Sequence, residues 1–156
     1  MTAEIGHFAL ILALVVSALG AFLPLAGAAW DIRGWMRTGT ASAFILALCA
    51  TVAIGSLAYG FVTSDFTILN VARNSNSALP WYYKLAAVWG SHEGSILFWV
   101  TTLCWWMFAV ALSARRLPRK GAARILGYAL AHRLGLFLFI LLTSNPFLRL
   151  FPEAAE

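Results

Sequence analysis

Residues 89–99 read WGSHEGSILFW, a polar, titratable turn that leads straight into an apolar, helix-forming run. Charge near hydrocarbon is costly, so adjacent His92 and Glu93 at the mouth of a spanning helix indicate a fixed loop geometry or a bound ligand. The aromatic residues before them, Trp81–Tyr83 and Trp89, are typical of the lipid headgroup layer. The stretch therefore predicts a surface-lying segment that folds over the entrance of a spanning helix.

The composition is that of an integral membrane protein. Of 156 residues, 62% are hydrophobic and 11% are charged, whereas ordinary soluble domains are about 25% charged. Several apolar runs reach the roughly 20 residues that a helix needs to cross a bilayer. The net charge of +5 resides mostly in short segments between these runs. Such charge is typical of topology signals rather than of a nucleic-acid-binding surface, so we expect membrane lipid and no nucleic acid as a partner.

Four spans predict a single all-α membrane domain. The domain covers residues 1–156, and its spans cover about 5–30, 40–63, 92–113 and 122–143. Each is of helix length, and nothing alternates in the manner of a transmembrane strand. The second connection is a long loop, residues 64–91. The first and third, residues 31–39 and 114–121, are short and basic, and are interpreted as loops because Gly39 and Pro118 break the helices there.

The loop charges predict one orientation. Seven basic residues lie in or beside the first and third connections: Arg33, Arg37, Arg115, Arg116, Arg119, Lys120 and Arg124. The opposite side has only Arg73, Lys84 and Arg149, while Arg133 lies within the fourth span. Because cytoplasmic loops carry the excess of lysine and arginine, we expect both termini and the long loop to face the periplasm or its equivalent. No basic residue precedes the first span, which favours a retained span over a cleaved signal peptide.

The long loop predicts a short amphipathic helix. Pro80 is well placed at its first turn, where the missing N–H costs nothing. Three apolar residues recur at about helical spacing: Trp81, Leu85 and Val88. Lys84 is then free to extend outward to the surface. We expect this helix to lie in the membrane interface and to bring Trp89 and His92 to the rim of the bundle.

His92 and Glu93 have two interpretations. On a helix that begins at this point, His92, Ser95 and Trp99 share one face, which favours contact with a ligand or with a metalloporphyrin carried by a wider assembly. Alternatively, Glu93 satisfies free backbone N–H groups in the first turn, and His92 hydrogen-bonds the loop. We predict no metal site, since no second histidine or cysteine lies at ligand spacing, and no catalytic residue, since no nucleophile–base arrangement is visible.

The fourth span contains an intramembrane polar pair, His132 and Arg133. Ionisable residues inside a membrane are functional candidates by default, but Arg133 could instead snorkel from the cytoplasmic half of the span. Cys49 and Cys104 lie in the middle of spans and are interpreted as small hydrophobic residues. The chain has no Cys-x-x-Cys, and so neither a thioredoxin-like motif nor a covalent haem-attachment site.

Five blocks of sequence occur in a fixed order. They are Ser64-Asp65-Phe66-Thr67, Asn74-Ser75-Asn76-Ser77, Leu79-Pro80, Trp89-Gly90-Ser91-His92-Glu93-Gly94-Ser95 and Thr143-Ser144-Asn145-Pro146-Phe147. In this order and spacing they resemble the CcmF family, cytochrome c-type biogenesis proteins of the bacterial inner membrane. Residues 89–99 resemble the start of the cytochrome-assembly membrane domain that this family shares. The resemblance also implies a periplasmic N-terminus.

What the resemblance implies is a part in holocytochrome c synthesis. Family members receive haem from a haem chaperone and work with other cytochrome c maturation membrane proteins that present apocytochrome c for thioether formation. They use two periplasmic histidines beside a tryptophan-rich haem-binding motif, and two intramembrane histidines that hold a haem b. This chain ends at Glu156, before those features, and neither His7, His92 nor His132 matches a family ligand. We expect haem b in the full complex and none ligated by this chain alone.

Three hypotheses about function follow, and all of them are compatible with the same four spans. The chain is the N-terminal piece of a split or truncated haem lyase subunit, which acts after assembly with a chain that bears the haem sites. Alternatively, it is a membrane scaffold that only binds partner subunits, or a degenerate fragment without activity. Because His132 and Arg133 would lack their neighbours in a half-bundle, we expect an obligate partner of another membrane chain.

Overall fold

All regular secondary structure in the described part of the chain is helical. The computed structural model describes residues 1–150, apart from the side chain of Arg115. Its helices are α1 (Thr2–Trp30), α2 (Arg33–Val62), α3 (Leu69–Asn74), α4 (Trp81–Gly90), α5 (His92–Ser113) and α6 (Arg119–Thr143), with a 3-10 turn at Ala114–Arg116. Four of them, α1, α2, α5 and α6, are long and apolar enough to cross a membrane. The prediction of an all-α membrane protein with four spanning helices is confirmed.

Helices α1 and α2 pack against each other more extensively than any other pair. The buried face of α1 repeats every three or four residues, as Gly6, Leu10, Ala13, Ser17, Gly20, Pro24 and Gly27. The buried face of α2 does the same, as Gly39, Ala43, Leu46, Ala50, Ala53, Leu57 and Gly60. Helices in lipid associate mainly through van der Waals packing, so small residues on the facing sides favour close approach of the backbones.

The other helices pack around this pair. Helix α6 lies against α1 and, less extensively, against α2 and α5, whereas α5 lies mainly against α2. The short helix α4 lies against α2 and α5. One core connects the four spans, and its largest fully buried side chains include Leu10, Phe61, Leu97 and Phe137.

The first connection is shorter than predicted. Helix α2 begins at Arg33 rather than at the predicted residue 40, so residues 31–39 are not a loop, and two residues, Asp31 and Ile32, join α1 to α2. Asp31 makes the turn with a left-handed backbone, at φ 59°. Gly39, interpreted as a helix breaker, is instead buried within α2 at its contact with α6. The glycine serves helix packing, which is why the helix continues through it.

The third connection lies where it was predicted but is partly helical. The 3-10 turn Ala114–Arg116 follows α5 directly, and α6 starts at Arg119 instead of at residue 122. Pro118 precedes the first helical residue, a position near the helix start where the fixed φ of proline is well accommodated. Gly121 therefore falls inside the first turn of α6 rather than before it.

The bundle has two chemically different ends. The basic end holds the first and third connections and the starts of α2 and α6, with Arg33, Arg37, Arg116, Arg119, Lys120 and Arg124. The loop end holds the start of α1, residues 63–91 between α2 and α5, and residues 144–150 after α6.

At the loop end, the segment after α6 is tied to the loop after α2. Ile68 and Arg149 form an antiparallel bridge, flanked by two backbone hydrogen bonds of 2.9 Å. The guanidinium of Arg149 also donates to the hydroxyl of Thr67 (2.7 Å) and pairs with the carboxylate of Glu4 on α1. One arginine thus joins three segments that are far apart in the sequence.

The same segment closes over the start of α1. The ring of Phe147 packs on Gly6, where a β-carbon would overlap the ring. The side-chain amide nitrogen of Asn145 lies 3.3 Å from Nδ1 of His7, and the amide oxygen of Asn145 accepts from the N–H of Phe147 (3.0 Å). The Asn-Pro-Phe block is therefore a turn that anchors the chain onto α1.

The helix predicted in the long loop is α4; Leu85 and Val88 face the core as predicted, whereas Trp81 is exposed and Lys84 is buried. Lys84 is 9% exposed, and its Nζ donates to the hydroxyl of Ser64 (2.6 Å). Val88 is buried on the same side, whereas the aromatic residues Trp81–Tyr83 are exposed. The expectation that Lys84 extends outward is wrong, because Ser64, in a left-handed turn at the end of α2 (φ 54°), offers it an inward acceptor.

Replacing Lys84 by alanine removes the side-chain hydrogen bond between α4 and Ser64 at the end of α2. We expect about fivefold faster amide exchange in α4, since such a hydrogen bond contributes about 1 kcal/mol, with α1 unchanged, in hydrogen–deuterium exchange of the detergent-purified chain. Arg73→Ala is the matched control, because it removes an exposed basic side chain from the same loop. Equal exchange of α4 in the two variants would contradict a stabilising role for the hydrogen bond between Lys84 and Ser64.

Candidate functional site

The stretch 89–99 forms a tight corner between α4 and α5. A single residue, Ser91, separates the two helices. Its hydroxyl accepts from the N–H of Gly94 (3.1 Å) and donates to the carbonyl of Val88 (3.3 Å). Serine is a favoured N-cap because its oxygen satisfies a free N–H of the first helical turn. Ser91 is thus the residue that turns the chain from α4 into the spanning helix.

Gly94 permits the close approach at this corner. A β-carbon on Gly94 would overlap the carbonyl oxygen of Val88, so the end of α4 passes directly over the first turn of α5. Gly90, four residues earlier in the same motif, has open space where a β-carbon would lie. Packing therefore requires glycine at position 94 but not at position 90.

The side chains of His92 and Glu93 take no part in the contacts that hold this corner. His92 is exposed and Glu93 is half-buried, and among residues 1–150 neither side chain makes a hydrogen bond or an ion pair. The role that the sequence suggested for Glu93, satisfying the first-turn N–H groups, falls to Ser91. Glu93 still favours the helix start through the macrodipole. Both side chains are presented at the surface of the loop end.

The outer side of the corner carries an aromatic surface. It consists of Trp81, Tyr82, Tyr83, Trp89, Phe98 and Trp99, all exposed. The ring centroids of Trp89 and Phe98 lie 6.0 Å apart, and those of Tyr82 and Tyr83 lie 4.8 Å apart. Ser95 and the rings of Trp89 and Trp99 border an open depression of about 350 Å³. The predicted shared face is thus formed in part, since Ser95 and Trp99 border the depression and His92 does not.

The first loop block holds a turn at the end of α2. The carboxylate of Asp65 accepts from the N–H (3.2 Å) and the hydroxyl (2.5 Å) of Thr67. These bonds follow directly on the left-handed residue Ser64. Phe66 is exposed. Asp65 therefore has a structural role in shaping the loop that receives Lys84.

The second and third loop blocks set the path into α4. The side-chain amide of Asn74 donates to the carbonyl oxygen of Asn70 (2.9 Å). The amide oxygen of Asn76 accepts from the N–H of Ala78 (3.2 Å), which makes a side-chain-stabilised turn. Pro80 then precedes the first residue of α4. These side chains fix backbone geometry and do not line the depression.

The intramembrane polar pair divides between two faces of α6. Arg133 is buried, and its Nη2 donates to the carbonyl of Leu103 in α5 (3.2 Å). Its Nε is buried without a hydrogen-bond partner among the described residues. His132 is exposed on the outer side of the helix. The expectation that Arg133 snorkels toward an end of its span is wrong, because the guanidinium reaches across to α5 instead.

The histidines and cysteines are dispersed. His7, His92 and His132 lie on α1, α5 and α6. Within residues 1–150, no group of three histidine, cysteine or acidic side chains could hold a metal ion. Cys49 and Cys104 are buried as free thiols. The residues present do not assemble a ligand set for a metal centre.

Sequence reasoning missed two contacts that shape the site. The N-cap role of Ser91 had a signal, a serine at the start of the helical stretch with an acidic residue, Glu93, in the first turn. The role of Arg149 had none, because its partners Glu4 and Thr67 are 145 and 82 residues away along the chain.

Comparison with known proteins covers nearly all of the chain. No protein-family model matches it. It is 46% identical over 153 residues to the cytochrome c-type biogenesis protein CcmF of Pseudomonas aeruginosa, which covers 98% of this chain and 23% of that protein. CcmF of Escherichia coli is 42% identical over 153 residues, with 98% and 24% covered. A solved structure, cytochrome c heme lyase CcmF, superimposes with a TM-score of 0.89 at 26% identity, over 97% of this chain and 26% of that one. The chain spans about a quarter of the length of these relatives.

Gly94→Ala tests the corner directly. We expect the free energy of unfolding to fall by about 2 kcal/mol, because the β-carbon forces the Val88 carbonyl to move. Gly90→Ala, the same substitution within the same motif, should change it by less than about 0.5 kcal/mol. Thermal unfolding of both variants in one detergent, followed by circular dichroism, measures the difference. Equal losses in the two variants would show that the close approach at Gly94 is not needed.

Proposed function

Because the chain corresponds over nearly its whole length to the N-terminal portion of CcmF, we propose that it takes part in cytochrome c-type biogenesis. In this proposal it is the N-terminal part of a haem lyase membrane subunit that helps to attach haem to apocytochrome c. The chain itself supplies a scaffold and a docking surface rather than catalytic groups.

The observation that carries this proposal is where the family blocks lie. Four of the blocks that resemble CcmF lie within residues 64–95, and the fifth, residues 143–147, comes only after α5, at the end of α6, yet all five lie at the loop end of the bundle. Their side chains hold that end together, through Lys84 on Ser64, Ser91 at the corner and Asn145 against His7. An arrangement that devotes so many polar residues to one surface supports a role for that surface in recognition.

We propose that the loop end faces the periplasm of a bacterial inner membrane, with both termini on that side. The concentration of lysine and arginine at the basic end supports this orientation. Apocytochrome c, the haem chaperone and other cytochrome c maturation membrane proteins would then meet the loop end.

The aromatic surface and His92 are the proposed contact with the remainder of the haem lyase assembly. Tryptophan and tyrosine carry much of the binding energy in protein interfaces. Six exposed aromatic side chains lie on α4 and the start of α5, with adjoining rings in two groups: Trp81 to Tyr83, and Trp89 with Phe98. His92 is exposed at the same end of the bundle and belongs to no group of three possible metal ligands within residues 1–150; in this proposal it contacts a partner. In this proposal haem b is held elsewhere in the assembly.

A chimaera tests this function. The aligned segment of Pseudomonas aeruginosa CcmF is replaced by this chain, and covalent haem in c-type cytochromes is measured by peroxidase staining of denaturing gels. We expect the chimaera to mature cytochrome c, and Trp89→Ala combined with Trp99→Ala to lower the yield at least about fivefold through loss of interface anchors.

The matched control is Trp30→Ala combined with Trp106→Ala, which removes two tryptophans away from the loop end. They are 64% and 71% exposed, against 51% and 68% for Trp89 and Trp99. The control should retain the yield at equal protein level. A correctly inserted chimaera that binds its partners and matures no cytochrome c would contradict the proposed part in haem attachment and favour the alternative that the chain only binds partner subunits. Equal cytochrome c yields from the two double variants would show that the aromatic surface is not needed for maturation.

The chain purified alone should show no stoichiometric haem b in oxidised and reduced absorption spectra. Of its three histidines, His92 and His132 are exposed and His7 lies against Asn145, so the described residues do not present two imidazoles to one enclosed site, which a six-coordinate haem needs. A stoichiometric signal would instead make a histidine of this chain a ligand, and His92→Ala and His132→Ala would identify which one.

A further inference from the structure

The basic end contains a cavity lined by exposed arginines and by apolar side chains. It has a volume of about 430 Å³ and lies between the start of α2, the 3-10 turn after α5 and the start of α6. Arg33, Arg37 and Arg119 contribute to its lining from two different helices. Met36, Leu117 and Leu126 are among the apolar residues that complete it. The lining is therefore amphiphilic.

None of the three arginines forms an ion pair within residues 1–150. No acidic residue lines the cavity. The nearest carboxylate in sequence, Asp31, borders a neighbouring depression together with Arg33 and Arg119 and pairs with Lys120 (3.3 Å). Within residues 1–150, none of the three guanidiniums makes a salt bridge or a side-chain hydrogen bond. Three like charges around one cavity repel each other, and a bound anion would relieve that repulsion.

The two helix starts at the cavity add to the positive potential. Helices α2 and α6 begin at Arg33 and Arg119, without an acidic residue in the first turn and without a side-chain cap. Their free N–H groups and the positive ends of their dipoles favour an anion at this place.

We propose that this cavity binds the phosphate headgroup of an anionic phospholipid, with phosphatidylglycerol as the test ligand. The arginines contact the phosphate, and the apolar lining residues accommodate the glycerol backbone and the first acyl carbons. The apolar lining, and the position of the cavity at the ends of spanning helices, favour a lipid over free phosphate. The site lies at the opposite end of the bundle from the aromatic surface, so it stands independently of the proposed function.

Native mass spectrometry of the detergent-purified 156-residue chain tests the proposal. The chain is mixed with equal amounts of phosphatidylglycerol and phosphatidylcholine that carry the same acyl chains. We expect phosphatidylglycerol to be retained at least about fivefold more, given the attraction of arginine for anionic headgroups. Arg37→Gln combined with Arg119→Gln should abolish the preference.

The control is Arg116→Gln combined with Arg124→Gln, which removes the same charge from the same end but outside the cavity. It should keep the preference. Equal binding of the two lipids by the unmodified chain would overturn the proposal without reliance on any variant. Equal loss in both double variants would assign the effect to diffuse charge and overturn the site. Displacement of phosphatidylglycerol by millimolar inorganic phosphate would make the ligand a free anion rather than a lipid.

Discussion

The close contact of α1 with α2 is the constraint on which the rest of the structure depends. In hydrocarbon, helices gain little from hiding apolar surface, so their association relies on how closely their backbones approach. Glycine, alanine and serine along both buried faces permit that approach, and a two-residue connection keeps the pair antiparallel. Helices α5 and α6 then pack against this pair, and α4 covers the end of α2.

Hydropathy and run length predicted the spanning helices because the bilayer imposes both. The ends of the helices at the basic end were harder to predict, because the sequence alone does not distinguish a glycine that ends a helix from one that allows close helix packing. Gly39 is a packing residue at the contact with α6. The burial of Lys84 on α4 also escaped prediction, because its acceptor, Ser64, lies 20 residues away along the chain.

The sequence predicted where the candidate site lies but not what each of its residues does. The motif residues at 89–99 do form the entrance of α5, but Ser91 and Gly94 shape the corner, while His92 and Glu93 lie at its surface. Asp65 and Asn76 likewise fix turns. Short-range contacts of this kind can be derived from local sequence rules. The aromatic surface could not, because it requires α4 and α5 to be placed side by side.

The bridge made by Arg149 also sets an order of events during biosynthesis. Glu4 precedes Arg149 by 145 residues, so this ion pair forms only after α2, α5 and α6 have been synthesised. Packing of α1 against α2 does not have to wait for it, because α2 follows α1 after two residues. The polar start of α1 therefore gains its contact with Arg149 later than its apolar face gains its contact with α2.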